Sequence, residues 1–143
     1  MQKEFVEYEL ALRLKALGFD EPCLAIHSNA NPKTGLYTLN KYRLKLIKQG
    51  SQKDKGVKAP TFSQCFRWFR EKYGLYSWIQ LHNGYIDDSF YKKLPITWTV
   101  MGHESGKQYY ERDIDHNYLY NTHEEAEVAC LTKLIEIVEF KKE

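Results

Sequence analysis

APTFSQCFRWFREKYG, residues 59–74, interleaves Arg67, Arg70 and Lys72 with Phe62, Phe66, Trp68, Phe69 and Tyr73. In linear order the mixture resembles a platform for nucleic acid, where exposed rings stack on bases beside cations. Winding it into a helix separates the two kinds of side chain. At about 100° per residue, Phe62, Cys65, Phe66, Phe69 and Tyr73 share one side while Gln64, Arg67 and Glu71 lie opposite. The ends support the helix: Thr61 and Gln64 have the spacing of a capping box, and Gly74 stands where a helix stops. The stretch therefore predicts an amphipathic helix over about 61–73 that buries its aromatic side. Trp68, on the edge of the apolar arc, is the one ring left as a candidate for partner contact.

Working outward, KEFVEYELALRLKALGF has Val6, Leu10, Leu14 and Leu17 at helical spacing, with Gly18 as its stop. Phe5, Tyr8, Leu12 and Ala16 form a second apolar side, so this helix is either sandwiched or offered to a partner. CLAIHS reads as a strand, NANPKTG as a turn, and LYTLNKYRLKLIKQG as the returning strand. In that returning strand Lys41, Arg43 and Lys45 face one way and Tyr42, Leu44 and Leu46 the other. A mobile basic loop is expected at about 49–58, since SQKDKGVK has little to bury.

After the 61–73 helix, YSWIQL, ITWTVM and KQYYERDID read as strands, joined through Asn83-Gly84 and through Gly102 to Gly106. NTHEEAEVACLTKLIEIVEFKKE opens with a second capping box, Thr122 and Glu125, and ends in Lys141 and Lys142, which suits the helix dipole. The order α-β-β-α-β-β-β-α predicts an α+β fold: one domain over 1–143, with an antiparallel sheet of about five strands and helices packed against it.

At 143 residues with 43% hydrophobic and 28% charged side chains, the composition is that of a globular domain able to bury a core without staples. MQKEFVEYEL lacks the basic start and apolar run of a signal peptide, and no apolar stretch approaches the ~20 residues that span a bilayer. A cytoplasmic protein without membrane contact is the expectation. Cys23, Cys65 and Cys130 form no CxxC pair, so thiols rather than a disulfide framework or zinc knuckle are expected. Cys65, on the apolar face of its helix, is expected to be buried and inert.

No GxGxxG, GxxxxGK, HExxH or GxSxG occurs, which removes the usual sequence grounds for assigning an enzyme, and no cofactor is implied. Glu111, Asp113 and Asp115 alternate onto one strand face with His116 beyond, the weak outline of a hard-cation site. Opposing that outline, solvated carboxylates paired with a basic strand are the plainer expectation.

The largest eccentricity is charge. Residues 33–58 hold eight Lys or Arg against one acid, Asp54, although the whole chain is only +2. Lys41, Arg43, Lys45, Lys48, Lys53 and Lys55, with Trp68, are thus the candidate partner-binding residues. They suit weak, salt-sensitive phosphate contact if the partner is nucleic acid.

The GFDEPC end of the first helix, the Pro60-Thr61 start, the Trp68-Phe69-Arg70-Glu71 run and the Thr122 to Ala126 helix start resemble stretches of small hypothetical proteins of bacteriophages, prophages and Bacteroides-type genomes. That resemblance covers most of the chain and implies a compact α+β domain of mobile-element origin, with no activity or catalytic residue attached. The expectation is a non-enzymatic interaction protein, binding a protein partner or a second copy of itself. The alternative is sequence-nonspecific nucleic-acid binding through 33–58.

Overall fold

Helix α1, Tyr8–Ala16, carries Glu9 in its first turn and Arg13 and Lys15 in its last, which suits the macrodipole. It stops in a Schellman motif. The Gly18 N–H donates to the Lys15 carbonyl and the Phe19 N–H to the Leu14 carbonyl, with Gly18 at φ 94°, where a side chain would be strained. Phe19 and Leu14, the apolar pair that accompanies this motif, are both buried.

The computed structural model describes residues 4–28, 36–38, 56–81, 96–104, 107–112 and 120–142. It is an α+β fold whose three described helices are α1, α2 (Phe62–Tyr73) and α3 (His123–Lys142). The described strands are β1 (Ala25–Ser28), β2 (Leu36–Thr38), β3 (Gly56–Ala59), β4 (Tyr76–Leu81), β5 (Ile96–Glu104) and β6 (Lys107–Arg112). All pairing among the described strands is antiparallel. Among the described residues the strands form two three-stranded sheets, β2-β1-β3 and β4-β5-β6. The chain divides into two compact units, Met1–Cys65 and Phe66–Glu143, with the division inside α2.

In the first unit, β1 pairs β2 in the register Ala25↔Thr38 and β3 in the register Ala25↔Ala59. Strand β3 corrects the C-terminal end of the expected 49–58 loop. GVKA is too short to show alternation, yet Val57 and Ala59 are buried while Lys58 points out to the Asp20 carboxylate at 2.7 Å. Residues 39–55, which include most of the expected returning strand and basic loop, lie outside the described residues.

Phe5 bridges Thr61, and the Val6 N–H donates to the Pro60 carbonyl at 2.9 Å. The buried His27 ring donates from Nε2 to the Val6 carbonyl at 2.7 Å, and Tyr8 meets it edge-on. Half of the second apolar side of α1 is therefore consumed: Phe5 is core and Tyr8 covers His27, while Leu12 and Ala16 remain exposed.

The capping box closes in full at α2 and in part at α3. At α2 the Gln64 N–H donates to Thr61 Oγ1 and the Thr61 N–H to Gln64 Oε1, at 3.2 and 3.1 Å. At α3 the Glu125 N–H donates to Thr122 Oγ1, while the Glu125 carboxylate reaches one residue further back, to the Asn121 N–H.

In the second unit, α3 packs on β4 and β5 through Ala126, Cys130, Leu131, Leu134, Ile135 and Val138. These positions recur at helical spacing and make one continuous apolar stripe. Strand β5 runs past its expected end and pairs as far as Glu104↔Lys107. Gly102 consequently lies within the strand and not in the turn. A Cβ there would fall 2.6 Å from Leu75 Cδ2, so the missing side chain is what lets Leu75 fill the core.

Candidate functional site

Strand β4 follows directly from the end of α2. Gly74, at φ 64°, reverses the chain, Leu75 is buried, and Tyr76 begins the strand. Along β4 the side chains alternate, so Tyr76, Trp78 and Gln80 share one face and Ser77 and Ile79 the other. The second face belongs to α3, because the Ser77 hydroxyl stands beside the Cys130 thiol. Burial pushes that thiol up to about 12, against a smaller downward pull from Ser77. Tyr76 and Trp78 are thereby turned away from the helix that covers the sheet.

The consequence is exposure of two large rings, Tyr76 at 49% and Trp78 at 39%, with Leu81 at 49% at the end of the strand. Trp78 is also fixed in place. Its Nε1–H donates to Gln80 Oε1 at 2.9 Å, and Gln80 Nε2–H donates in turn to Thr99 Oγ1 at 3.3 Å. Thr99 is fully buried and lies opposite Trp78 in the β4–β5 register. An exposed indole tied through an amide to the core loses little side-chain freedom when a partner covers it. Among the described residues β4 is an edge strand, since the sheet order is β4-β5-β6.

The residues singled out from sequence fare differently. Trp68 is corrected: it is 6% exposed, a core ring rather than a contact surface. The apolar arc of α2 is rotated toward it, so that Trp68 meets Phe69 and Tyr73 edge-on and the Lys72 ammonium lies 4.9 Å above its centre. Phe66 and Tyr73, expected on the apolar arc, are half-buried. Trp98 is likewise buried.

Lys41, Arg43, Lys45, Lys48, Lys53 and Lys55 lie outside the described residues, as do Asp113, Asp115 and His116. Glu111 belongs to β6, where it pairs with Val100. Among the described residues no three His, Cys, Asp or Glu side chains gather as a metal ion would require, and no helix is long and apolar enough to cross a membrane.

Tyr76 and Trp78 were not among the sequence candidates. The alternation in YSWIQL is visible, but both of its faces carry large apolar side chains, and only the placement of α3 decides which one is covered. No protein family, curated protein or solved structure matches the chain.

Proposed function

We propose that this chain is a non-enzymatic interaction protein that recognises a protein partner through the Tyr76 and Trp78 face of β4. The observation that carries the proposal is the exposure of these two rings on a face turned away from α3, with Trp78 held by Gln80. Tyrosine and tryptophan dominate binding energy at protein interfaces because they bring large area with few rotatable bonds. Covering what remains exposed of the two rings removes roughly 200 Å² from water, worth up to ~5 kcal/mol before the costs of association. The resemblance to phage and prophage proteins supports a binding or host-modulating role over a metabolic one, and with it a mobile-element origin.

The test is selection of a displayed peptide library against the full chain, followed by Kd measurement on the recovered sequences. Trp78→Ser and Tyr76→Ser should each weaken binding by ~2 kcal/mol or more, about 30-fold. Equal affinity of wild type and both variants would place the contact elsewhere. Binding of a labelled single-stranded DNA at low salt, lost at raised salt and unchanged in both variants, would favour nucleic acid and the basic stretch instead.

A further inference from the structure

Two of the three thiols belong to the first unit: Cys23, in the segment between α1 and β1, and Cys65, in the first turn of α2. Both are buried, Cys23 at 5% exposure and Cys65 at 0%. Their chain neighbours are tied together, since Gln64 Nε2–H donates to the Pro22 carbonyl at 3.0 Å. That bond joins the residue before one cysteine to the residue before the other. The same segment is held from β3 by Lys58, whose ammonium donates to the Asp20 carbonyl and carboxylate. Cys65 also lies within electrostatic reach of Cys23. Burial first, then the charge of Cys23, then that of Glu21, push the Cys65 thiol above its ordinary range.

We propose that Cys23 and Cys65 form a redox-closable pair, joined by an intrachain disulfide when the protein meets a small peroxide. Cys23, the less deeply buried of the two residues, reacts first. Its thiolate attacks one oxygen of hydrogen peroxide, the O–O bond breaks, and the departing hydroxide takes a proton, leaving a sulfenic acid and one water. The Cys65 sulfur, having lost its proton, then attacks the sulfenic sulfur. The S–S bond forms, the S–O bond breaks, and a second water leaves. Two thiols give up two electrons in all, and the peroxide accepts them. Because the thiolate is the nucleophile, the elevated Cys65 thiol makes closure slow at neutral pH and faster as pH rises. Cys130, in the second unit on the buried face of α3, takes no part.

The bond closes a ring of roughly 40 residues that contains all three strands of the first sheet. Restricting the unfolded chain in this way raises Tm by on the order of 10 °C when the native geometry accepts the bond.

The test uses the full chain, reduced and desalted, then exposed to hydrogen peroxide under native conditions at pH 8.5. The peroxide is removed, the protein is unfolded in urea so that remaining thiols can be blocked with N-ethylmaleimide, and it is digested without reduction for mass spectrometry. The expected product is a loss of 2 Da, one cross-linked peptide pair joining Cys23 to Cys65, a blocked Cys130, and a raised Tm that dithiothreitol restores. Cys130→Ala should still close, and Cys23→Ala should not. The proposal is overturned by unreacted thiols throughout, by a sulfinic acid at Cys23 with Cys65 intact, by chains linked to one another, by any bond to Cys130, or by a Tm that falls on closure.

Discussion

Gln64 does two things at the start of α2, and a single substitution separates them. Its carbonyl oxygen accepts from the Thr61 N–H, completing the capping box, and its amide nitrogen donates to the Pro22 carbonyl. Replacing it with glutamate keeps the first bond and abolishes the second, because a carboxylate accepts but does not donate. The new charge near a helix N-terminus is favourable by ~0.3–1 kcal/mol. If capping were all that Gln64 contributed, Gln64→Glu would be as stable as wild type or more so.

The Pro22 bond predicts the opposite. Loss of one hydrogen bond costs about 0.5–1.5 kcal/mol, and a carboxylate oxygen placed against the Pro22 carbonyl adds repulsion. Gln64→Glu should therefore be less stable than wild type by about 1 kcal/mol, lowering Tm by roughly 3 °C. Thr61→Ala removes the acceptor of the Gln64 N–H and should cost about 1 kcal/mol, while Thr61→Ser should be nearly neutral. Thr61→Ala with Gln64→Ala should cost less than the two single losses combined, since each removes one of two bonds that support each other. Urea unfolding at 25 °C reads these differences through the emission of the buried Trp68 and Trp98, with far-UV circular dichroism as a second probe. Gln64→Glu at or above wild-type stability refutes the anchor to Pro22. Thr61→Ala within ~0.3 kcal/mol of wild type refutes the box as the device that starts the helix.

Three further outcomes follow from local geometry. Gly102→Ala should destabilise by about 1–3 kcal/mol, because its Cβ meets Leu75 in a filled core; thermal melts of this variant with and without Leu75→Val check it, the second change giving partial recovery. The Asp20 carboxyl is held below its ordinary value by the hydrogen bond and then the charge of Lys58, so its contribution to stability is present above the unfolded pKa of about 3.9 and vanishes as pH falls through the lower folded pKa. Tm profiles of wild type and Asp20→Asn should therefore converge in that acid window and differ above it. Cys65 and Cys130 should resist iodoacetamide at pH 8 in the native protein, since burial raises both thiols, whereas rapid alkylation followed by mass spectrometry would contradict their burial.

What was legible in the sequence was local. Thr61 with Gln64 and Thr122 with Glu125 announce their helices because each box closes within one turn of chain. Gly18 and Gly74 mark ends for the same reason, at φ 94° and 64°. The strands of the second sheet declare themselves by alternation. Strand β3 did not, because four residues are too few to show a period and the burial of Val57 and Ala59 is created by pairing with β1, distant in sequence. Trp68 was ambiguous on a helical wheel because the wheel gives an angle, not a neighbour; Phe69, Tyr73 and Lys72 turn that edge position into a packed one.

The same distinction explains why the candidate surface had to come from the structure. In YSWIQL the two faces are chemically similar: Tyr76 and Trp78 oppose Ile79 and Leu81. Either set suits a core, and propensity favours both equally in a strand. The choice is made by α3, whose apolar stripe meets Ser77 and Val100 and thereby leaves the tyrosine and tryptophan outside. Once that choice is made, the Gln80 bridge becomes informative. A Trp exposed only because no core remained for it has no need of a partner for its indole N–H other than water. At Trp78 the N–H is bound by Gln80, which is bound by the buried Thr99, and these bonds favour the orientation in which the ring is presented. Orientation of an exposed ring lowers the cost of association and does nothing for folding that a smaller polar side chain would not do as well. The exposed Tyr76 and Trp78 face therefore follows from two non-local events, the docking of α3 and the pairing of β4 with β5.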